Sequence, residues 1–219
     1  MPFDYGFFAF IADRDQLKER GLKAPESLDD LLKPEWKRNV ILEDPRTSTP
    51  GLAFVQYVQA VKLSQAKDFW KKMRSQWLTL AAGWDAAYGI FLKKEAPLVW
   101  SYTTSQAYHA EHGDSAGRYQ ALMLKEGLPQ QIEGAFALKA ALEGASEKTR
   151  DCARAFLEYL VSKDAQEQVP PKNWMYPVNS KVELSKSFGL VPKPKRVIEL
   201  PAKRAEVEGA LTVWSEGIR

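Results

Sequence analysis

The fold is decided by Val40-Ile41-Leu42-Glu43-Asp44-Pro45-Arg46-Thr47-Ser48-Thr49-Pro50-Gly51, a stretch that joins an apolar strand to the start of a helix. Pro45 stops the strand, three hydroxyl side chains follow, and Pro50 lies in the first turn of the helix, where no N–H group is needed. Apolar residues then recur at helical spacing as far as Leu63. The pattern predicts a strand, a cap and a helix whose free N–H groups face the carboxyl end of the strand.

The same order of elements recurs further along the chain. Residues 98–102 predict a buried strand, the hydroxyls of Thr103, Thr104 and Ser105 follow, and a helical run begins at Gln106. In open α/β sheets, ligands bind outside the carboxyl ends of the strands. The two hydroxyl-rich turns therefore predict the walls of one small-molecule site, although capping a helix is by itself a sufficient role for such side chains.

Length and composition restrict the class of protein. The chain has 219 residues, 45% of them hydrophobic, which is enough for a sizeable core in one or two domains. Its net charge of +3 is too small to indicate a nucleic-acid partner. The one cysteine, Cys152, is predicted to be a buried, inert thiol on a helix. His109 and His112 have neither the spacing of a zinc-protease motif nor a third ligand, so no metal site is predicted.

The remaining pattern alternates strands with helices, which predicts an α/β fold. An aromatic-rich strand is predicted near the start of the chain and an apolar helical stripe at its end. The predicted elements are strands over residues 3–11, 119–125 and 133–139, and helices over residues 64–77, 147–161 and 203–219.

Five runs of sequence resemble the periplasmic thiamine-binding proteins of bacterial ABC importers, in that family's order and at similar spacings. The runs are Phe3-Asp4-Tyr5-Gly6, the stretch from Asp44 to Gly51, Gly83-Trp84, Ser101-Tyr102-Thr103-Thr104-Ser105 with Tyr108, and Asn173-Trp174-Met175-Tyr176-Pro177. The resemblance implies the α/β fold of type II periplasmic binding proteins, mainly its second lobe. Family members carry a signal peptide and most of a first lobe ahead of the first run, so an N-terminally truncated member is expected.

The resemblance also implies a division of the chain into three segments. Residues 1–10 are expected to form a strand at the hinge, residues 11–172 the α/β ligand-binding lobe, and residues 173–219 the return through the hinge and a C-terminal helix. In the family, that helix packs on the first lobe. Here it is expected to pack on the lobe that remains, to meet another subunit or to stay loose.

The ligand implied by the resemblance is thiamine, which combines a quaternary thiazolium, an aminopyrimidine and an alcohol that can be phosphorylated. Aromatic faces attract cations and stack on pyrimidine rings. The residues implied to bind it are aromatic or carry a hydroxyl: Ser48, Thr49, Trp84, Tyr102, Thr103, Thr104, Ser105, Tyr108 and Trp174. No cofactor is implied, since thiamine, thiamine monophosphate or thiamine diphosphate would be the transported ligand.

By resemblance, the chain is expected to be periplasmic and to deliver its ligand to the membrane permease of an ABC importer. Loss of the first lobe is expected to weaken binding. Other candidates are a carrier of ferric ion or a polyamine, and a truncated remnant that binds no ligand and forms a homodimer through its exposed lobe interface. The chain lacks the adjacent tyrosine pair of iron carriers. An enzyme is not predicted, because no nucleophile with a His and Asp, and no catalytic carboxylate pair, can be assigned.

Overall fold

The computed structural model describes residues 1–114 and 117–219. Its strands are β1 Pro2–Asp13, β2 Val40–Glu43, β3 Trp77–Ala81, β4 Leu98–Tyr102, β5 Tyr119–Ala121, β6 Leu128–Gly134, β7 Tyr176–Pro177 and β8 Val197–Ile198. Its helices are α1 Arg14–Glu19, α2 Thr49–Lys62, α3 Ala66–Met73, α4 Trp84–Leu92, α5 Ser105–Glu111, α6 Lys139–Leu142, α7 Glu147–Leu160, α8 Lys163–Gln166, α9 Val169–Asn173 and α10 Arg204–Gly217. None of the helices in these two ranges has the length and apolarity to cross a bilayer.

One mixed sheet organises the molecule, in the order β3-β2-β4-β1-β6-β8, with β5 and β7 also paired to β1. β2 is parallel to β3 and β4, whereas β1 is antiparallel to β4, β5, β6 and β7. The 12 residues of β1 are long enough to pair with β6 through residues 2–7 and with β4 through residues 8–12. β1 therefore joins the two halves of the sheet, and the α/β class agrees with the prediction.

The strand-to-helix turn after β2 has the predicted structure. Ser48 is the N-cap of α2, and its Oγ accepts a hydrogen bond from the N–H of Gly51 at 3.3 Å. A Cβ on Gly51 would lie 2.6 Å from the carbonyl oxygen of Glu43, so only glycine lets α2 start this close to the end of β2. The second turn differs, because Thr104 at the N-cap of α5 makes no side-chain capping bond.

Apolar side chains cover both faces of the sheet. Val40 and Leu42 point into a large cluster with α2, α3 and α10, which contains the fully buried Trp100. Ile41, between them, points to the opposite face, as strand alternation requires. There it packs in a second cluster whose main helical contribution, including Phe91, comes from α4. The strands of the sheet thus divide the core into two layers.

The C-terminal helix α10 packs on α2 and α3. Ala210 and Trp214 are buried in the large cluster. A Cβ on Gly217 would lie 2.6 Å from the Cβ of Trp70, which shows how closely α10 approaches α3. Of the three arrangements expected for this helix, the structure has the first. The division into residues 1–10, 11–172 and 173–219, with a hinge between lobes, stays a prediction.

Four predictions are wrong, three about the bounds of elements and one about burial. The helix over residues 64–77 ends at Met73, because Trp77 instead begins β3 and pairs in parallel with β2. The strand over residues 119–125 is shorter, and the strand over residues 133–139 lies earlier, since pairing with β1 sets the bounds of β5 and β6. Cys152 is exposed rather than buried, and no residue of α7 is buried in the described structure.

Candidate functional site

A cavity of about 520 Å³ lies where the carboxyl end of β4 meets α4, α5 and α9. This volume is typical of small-molecule sites. Five aromatic side chains line it, those of Trp84, Tyr88, Tyr102, Tyr108 and Trp174. Its polar wall residues are Thr104, Ser105, Glu133, Lys172 and Asn173, and its other apolar ones are Pro50, Leu92 and Met175. The arrangement suits a flat ring that carries a small number of polar groups.

Six of the nine side chains predicted to bind a ligand are brought together at this cavity, namely Trp84, Tyr102, Thr104, Ser105, Tyr108 and Trp174. The other three do not line it. Ser48 is used to cap α2, Thr49 is exposed beside it, and Thr103 is fully buried. Contact between a ligand and any of the nine stays a prediction.

Trp84 begins α4 and is held in one orientation. Its indole Nε1 donates a hydrogen bond to the Oγ of Ser101 at 2.8 Å, and that hydroxyl lies 3.0 Å from the Oγ of Ser105. The indole stacks on Tyr88 with ring centroids 4.9 Å apart. The Tyr88 hydroxyl lies 2.8 Å from Nε2 of His109, whose pKa is lowered to about 4 by burial. The neutral imidazole can therefore accept a hydrogen bond from the Tyr88 hydroxyl, which fixes both rings.

Trp174 reaches the cavity from the end of α9. Its backbone is left-handed, with φ at +55°, which is rare for a bulky residue. The indole meets Tyr108 edge-on at 5.2 Å and stacks over Phe188 at 6.1 Å. Strained backbone of this kind concentrates at ligand sites, where the surrounding structure holds it.

The cavity has an acidic side, which is formed by β1, β6 and α9. Oε1 of Glu133 accepts a hydrogen bond from the side-chain Nε2 of Gln131 at 2.7 Å. The side-chain Oε1 of Gln131 in turn accepts one from the Tyr102 hydroxyl at 2.9 Å. Asp4, which pairs with Glu133 in the sheet, is fully buried and accepts a bond from Asn173 at 2.8 Å. Burial, with a smaller contribution from the charge of Glu133, raises the pKa of Asp4 to about 6 against the lowering effect of Asn173.

Glu43, the last residue of β2, carries a further buried carboxyl group and precedes the first of the two strand-to-helix turns. The residue is 2% exposed, and neither carboxyl oxygen has a hydrogen-bond partner among residues 1–114 and 117–219. Burial raises the pKa of Glu43 to about 8, so this group is mostly protonated at neutral pH.

Sequence reasoning missed several residues of the cavity, most importantly Tyr88, Glu133 and Asn173. Tyr88 follows Trp84 by four positions on one helix, and that spacing could have indicated it. Asn173 adjoins Trp174 in a run that the family resemblance had already drawn attention to. Glu133 had no local signal, because its place depends on the pairing of β6 with β1. In the part of the chain that the structure describes, no cluster of three His, Cys, Asp or Glu side chains could hold a metal ion.

The sequence of residues 1–189 matches the family described as bacterial extracellular solute-binding protein. The chain belongs to this family. The thiamine-binding periplasmic protein of Escherichia coli (strain K12) is 39% identical over 214 residues, which are 98% of this chain and 61% of that relative. A solved structure described as a periplasmic thiamin binding protein has a TM-score of 0.85 at 37% identity, over 100% of this solute-binding chain and 65% of that one.

These similarities confirm the resemblance to thiamine-binding proteins that the sequence motifs indicated. The structure of the Bordetella ferric binding protein also superposes, with a TM-score of 0.64, but at 19% identity it shows only the shared fold. This solute-binding protein spans less than two thirds of the length of the thiamine-binding relatives. Its family consists of solute-binding proteins rather than enzymes.

Proposed function

We propose that this solute-binding protein binds thiamine and its phosphate esters in the periplasm and delivers them to the permease of an ABC importer. The observation that carries the proposal is the cavity with five aromatic walls. A quaternary thiazolium is attracted to the faces of Trp and Tyr by about 0.5–2 kcal/mol per ring. The aminopyrimidine of the same ligand stacks on such rings. Thiamine needs both kinds of contact within one small cavity.

The polar groups of the cavity match the rest of the ligand. The hydroxyls of Thr104 and Ser105 can bond the alcohol of thiamine. Lys172, exposed on α9, supplies a positive charge for a phosphate ester. Ser48, Thr49 and Thr103 are left out of this proposed site, because they do not line the cavity. No cofactor and no catalytic activity are part of the proposal.

The names of the relatives support thiamine as the ligand, since they are called thiamine-binding periplasmic proteins. We expect these 219 residues alone to bind more weakly than a relative of full length. The cavity is partly open to solvent, and contacts that close over a ligand add affinity by excluding water.

Calorimetric titration with thiamine, thiamine monophosphate and thiamine diphosphate tests the proposal. We expect saturable binding that Tyr108→Ala weakens about tenfold, since an aromatic face is lost. Tyr159→Ala is the matched control, because this tyrosine is 55% exposed on α7 and does not line the cavity. Absence of saturable heat with folded protein, or an equal loss in both variants, would contradict the proposal.

Self-association is a second candidate function, and one specific feature favours it. Ile132, Phe136, Leu138, Phe156 and Tyr159 expose apolar side chains on β6, on α7 and on the segment between them. Exposed apolar side chains that form a contiguous patch mark protein contact surfaces. If they form a homodimer, sedimentation analysis will show a dimer mass that Phe156→Ser reduces to that of the monomer. A monomer at all concentrations would rule this candidate out.

A further inference from the structure

The acidic side of the cavity carries two carboxyl groups, those of Asp4 and Glu133. Asp4 and Glu133 are neighbours on paired strands. Within residues 1–114 and 117–219, none of the ion pairs includes either carboxyl group. Oδ1 of Asp4 is also buried without a hydrogen-bond partner in the same ranges. Two adjacent carboxyl groups without a counter-ion favour a neighbouring group that donates hydrogen bonds or carries positive charge.

Glu133 is the member of this pair that a ligand can reach. It lines the cavity, whereas Asp4 is fully buried behind the wall. The hydrogen bonds from Tyr102 to Gln131 and from Gln131 to Oε1 of Glu133 fix its carboxyl group. Among the described residues, no hydrogen bond involves Oε2 of Glu133, so this atom can accept one from a ligand.

The other polar groups of the wall cannot make the same distinction between ligands. The hydroxyls of Thr104 and Ser105 both donate and accept, so they suit either a donor or an acceptor. Lys172 donates only, and the amide of Asn173 is bonded to Asp4. Among the described residues that line the cavity, Glu133 is the one whose side chain, as a carboxylate, only accepts hydrogen bonds.

We propose that Glu133 is the specificity-determining residue of the cavity, where its carboxylate accepts hydrogen bonds from an amino group on the ligand ring. It thereby selects an aminopyrimidine over the same ring with a carbonyl oxygen in place of the amino group. A carbonyl would set an acceptor against an acceptor and leave both unpaired where the bound ring has displaced water. Asp4 is a positioning residue that adds negative charge and orients Asn173. The inference rests on the proposed function, since it concerns the same ligand.

Calorimetric titration with thiamine and oxythiamine, the analogue that carries oxygen in place of the amino group, tests the inference. We expect the wild-type chain to bind thiamine about 10–100-fold more tightly than oxythiamine, the range for a hydrogen bond to a charged group. Glu133→Gln, which presents a donor as well as an acceptor, should bring this ratio close to one. Asp4→Asn should lower it by a smaller factor, about threefold. Glu35→Gln, an exposed carboxylate change far from the cavity, should leave it unchanged.

An undiminished preference for thiamine in folded Glu133→Gln would overturn the inference while leaving the proposed function intact. If the wild-type chain binds neither compound, the proposed function fails and the inference fails with it. Thermal unfolding establishes that each variant is folded. Should Glu133→Gln not fold, Glu133→Asp carries the test. It keeps the charge but withdraws the carboxylate, and a preference for thiamine equal to that of the wild type would then overturn the inference.

Discussion

Replacement of Glu43 by glutamine should remove most of the dependence of stability on pH above neutrality. The carboxyl group is buried without a partner in the described structure, and burial raises its pKa from 4.5 to about 8. A group whose pKa is raised by folding stabilises the folded state fully below its unfolded pKa. That contribution is lost as the pH rises through the folded pKa. The free energy of unfolding should therefore fall between pH 4.5 and 8 on account of Glu43.

The size of the effect follows from the two pKa values. Each unit of difference corresponds to about 1.36 kcal/mol, so full ionisation of Glu43 costs the folded protein about 5 kcal/mol. Two other buried groups complicate the acidic range. Asp4 acts in the same direction up to about pH 6, and His109, whose pKa is lowered, acts in the opposite direction below about pH 6.5. Between about pH 7 and 8.5, Glu43 dominates and should lower stability by about 1 kcal/mol.

Urea unfolding at a series of pH values measures this change. A loss of about 1 kcal/mol corresponds to a fall of roughly 0.5 M in the midpoint of the wild-type protein. Glu43→Gln keeps the shape of the side chain and should give a midpoint that stays level over the same range. Glu35→Gln, at an exposed carboxylate, should retain the wild-type slope. Equal slopes in wild type and Glu43→Gln would refute the reasoning, because the buried carboxyl group would then ionise without cost.

Three other substitutions or reactions test the packing of the fold. Gly51→Ala should lower the free energy of unfolding by about 1–3 kcal/mol, because its Cβ would meet the backbone of Glu43; urea unfolding measures this. Arg118→Met should cost about 3–5 kcal/mol in the same assay at neutral pH, since it leaves the fully buried carboxylate of Asp13 without its ion pair. Cys152 should react with one equivalent of a thiol reagent in the native protein, and a requirement for denaturant would contradict its exposure.

The sequence predicted those parts of the fold that depend on neighbouring residues. The strand, cap and helix around Ser48 form as expected, because the cap and the turn are local. Trp77 was assigned to a helix because its apolar spacing continues that of the preceding turns. The parallel partner β2, more than 30 residues earlier in the chain, overrides that local pattern. Long-range strand pairing thus accounts for the elements that the sequence analysis placed wrongly.

The candidate site likewise contains some residues that the sequence predicted, whereas other predicted residues lie outside it. Trp84, Tyr108 and Trp174 were predicted from family motifs and do line one cavity. Ser48 and Thr103 belong to the same motifs, but the Ser48 hydroxyl caps α2, and Thr103 is fully buried in the turn between β4 and α5. Hydroxyl residues alone cannot reveal which of them face a ligand, since capping and binding use the same atoms.

The arrangement of β1 has a consequence for the synthesis of the protein. β1 pairs with β4, β5, β6 and β7, all of which follow it in the chain, and β4 begins only at Leu98. At 5–20 residues per second, about 4–17 s separate the translation of Asp13 from that of Leu98. During this time the apolar residues 8–12, which are fully buried in the finished sheet, have no strand beside them. In this interval β1 is an unpaired apolar strand of the kind that promotes aggregation, so a ribosome-associated chaperone would protect the nascent chain by shielding it.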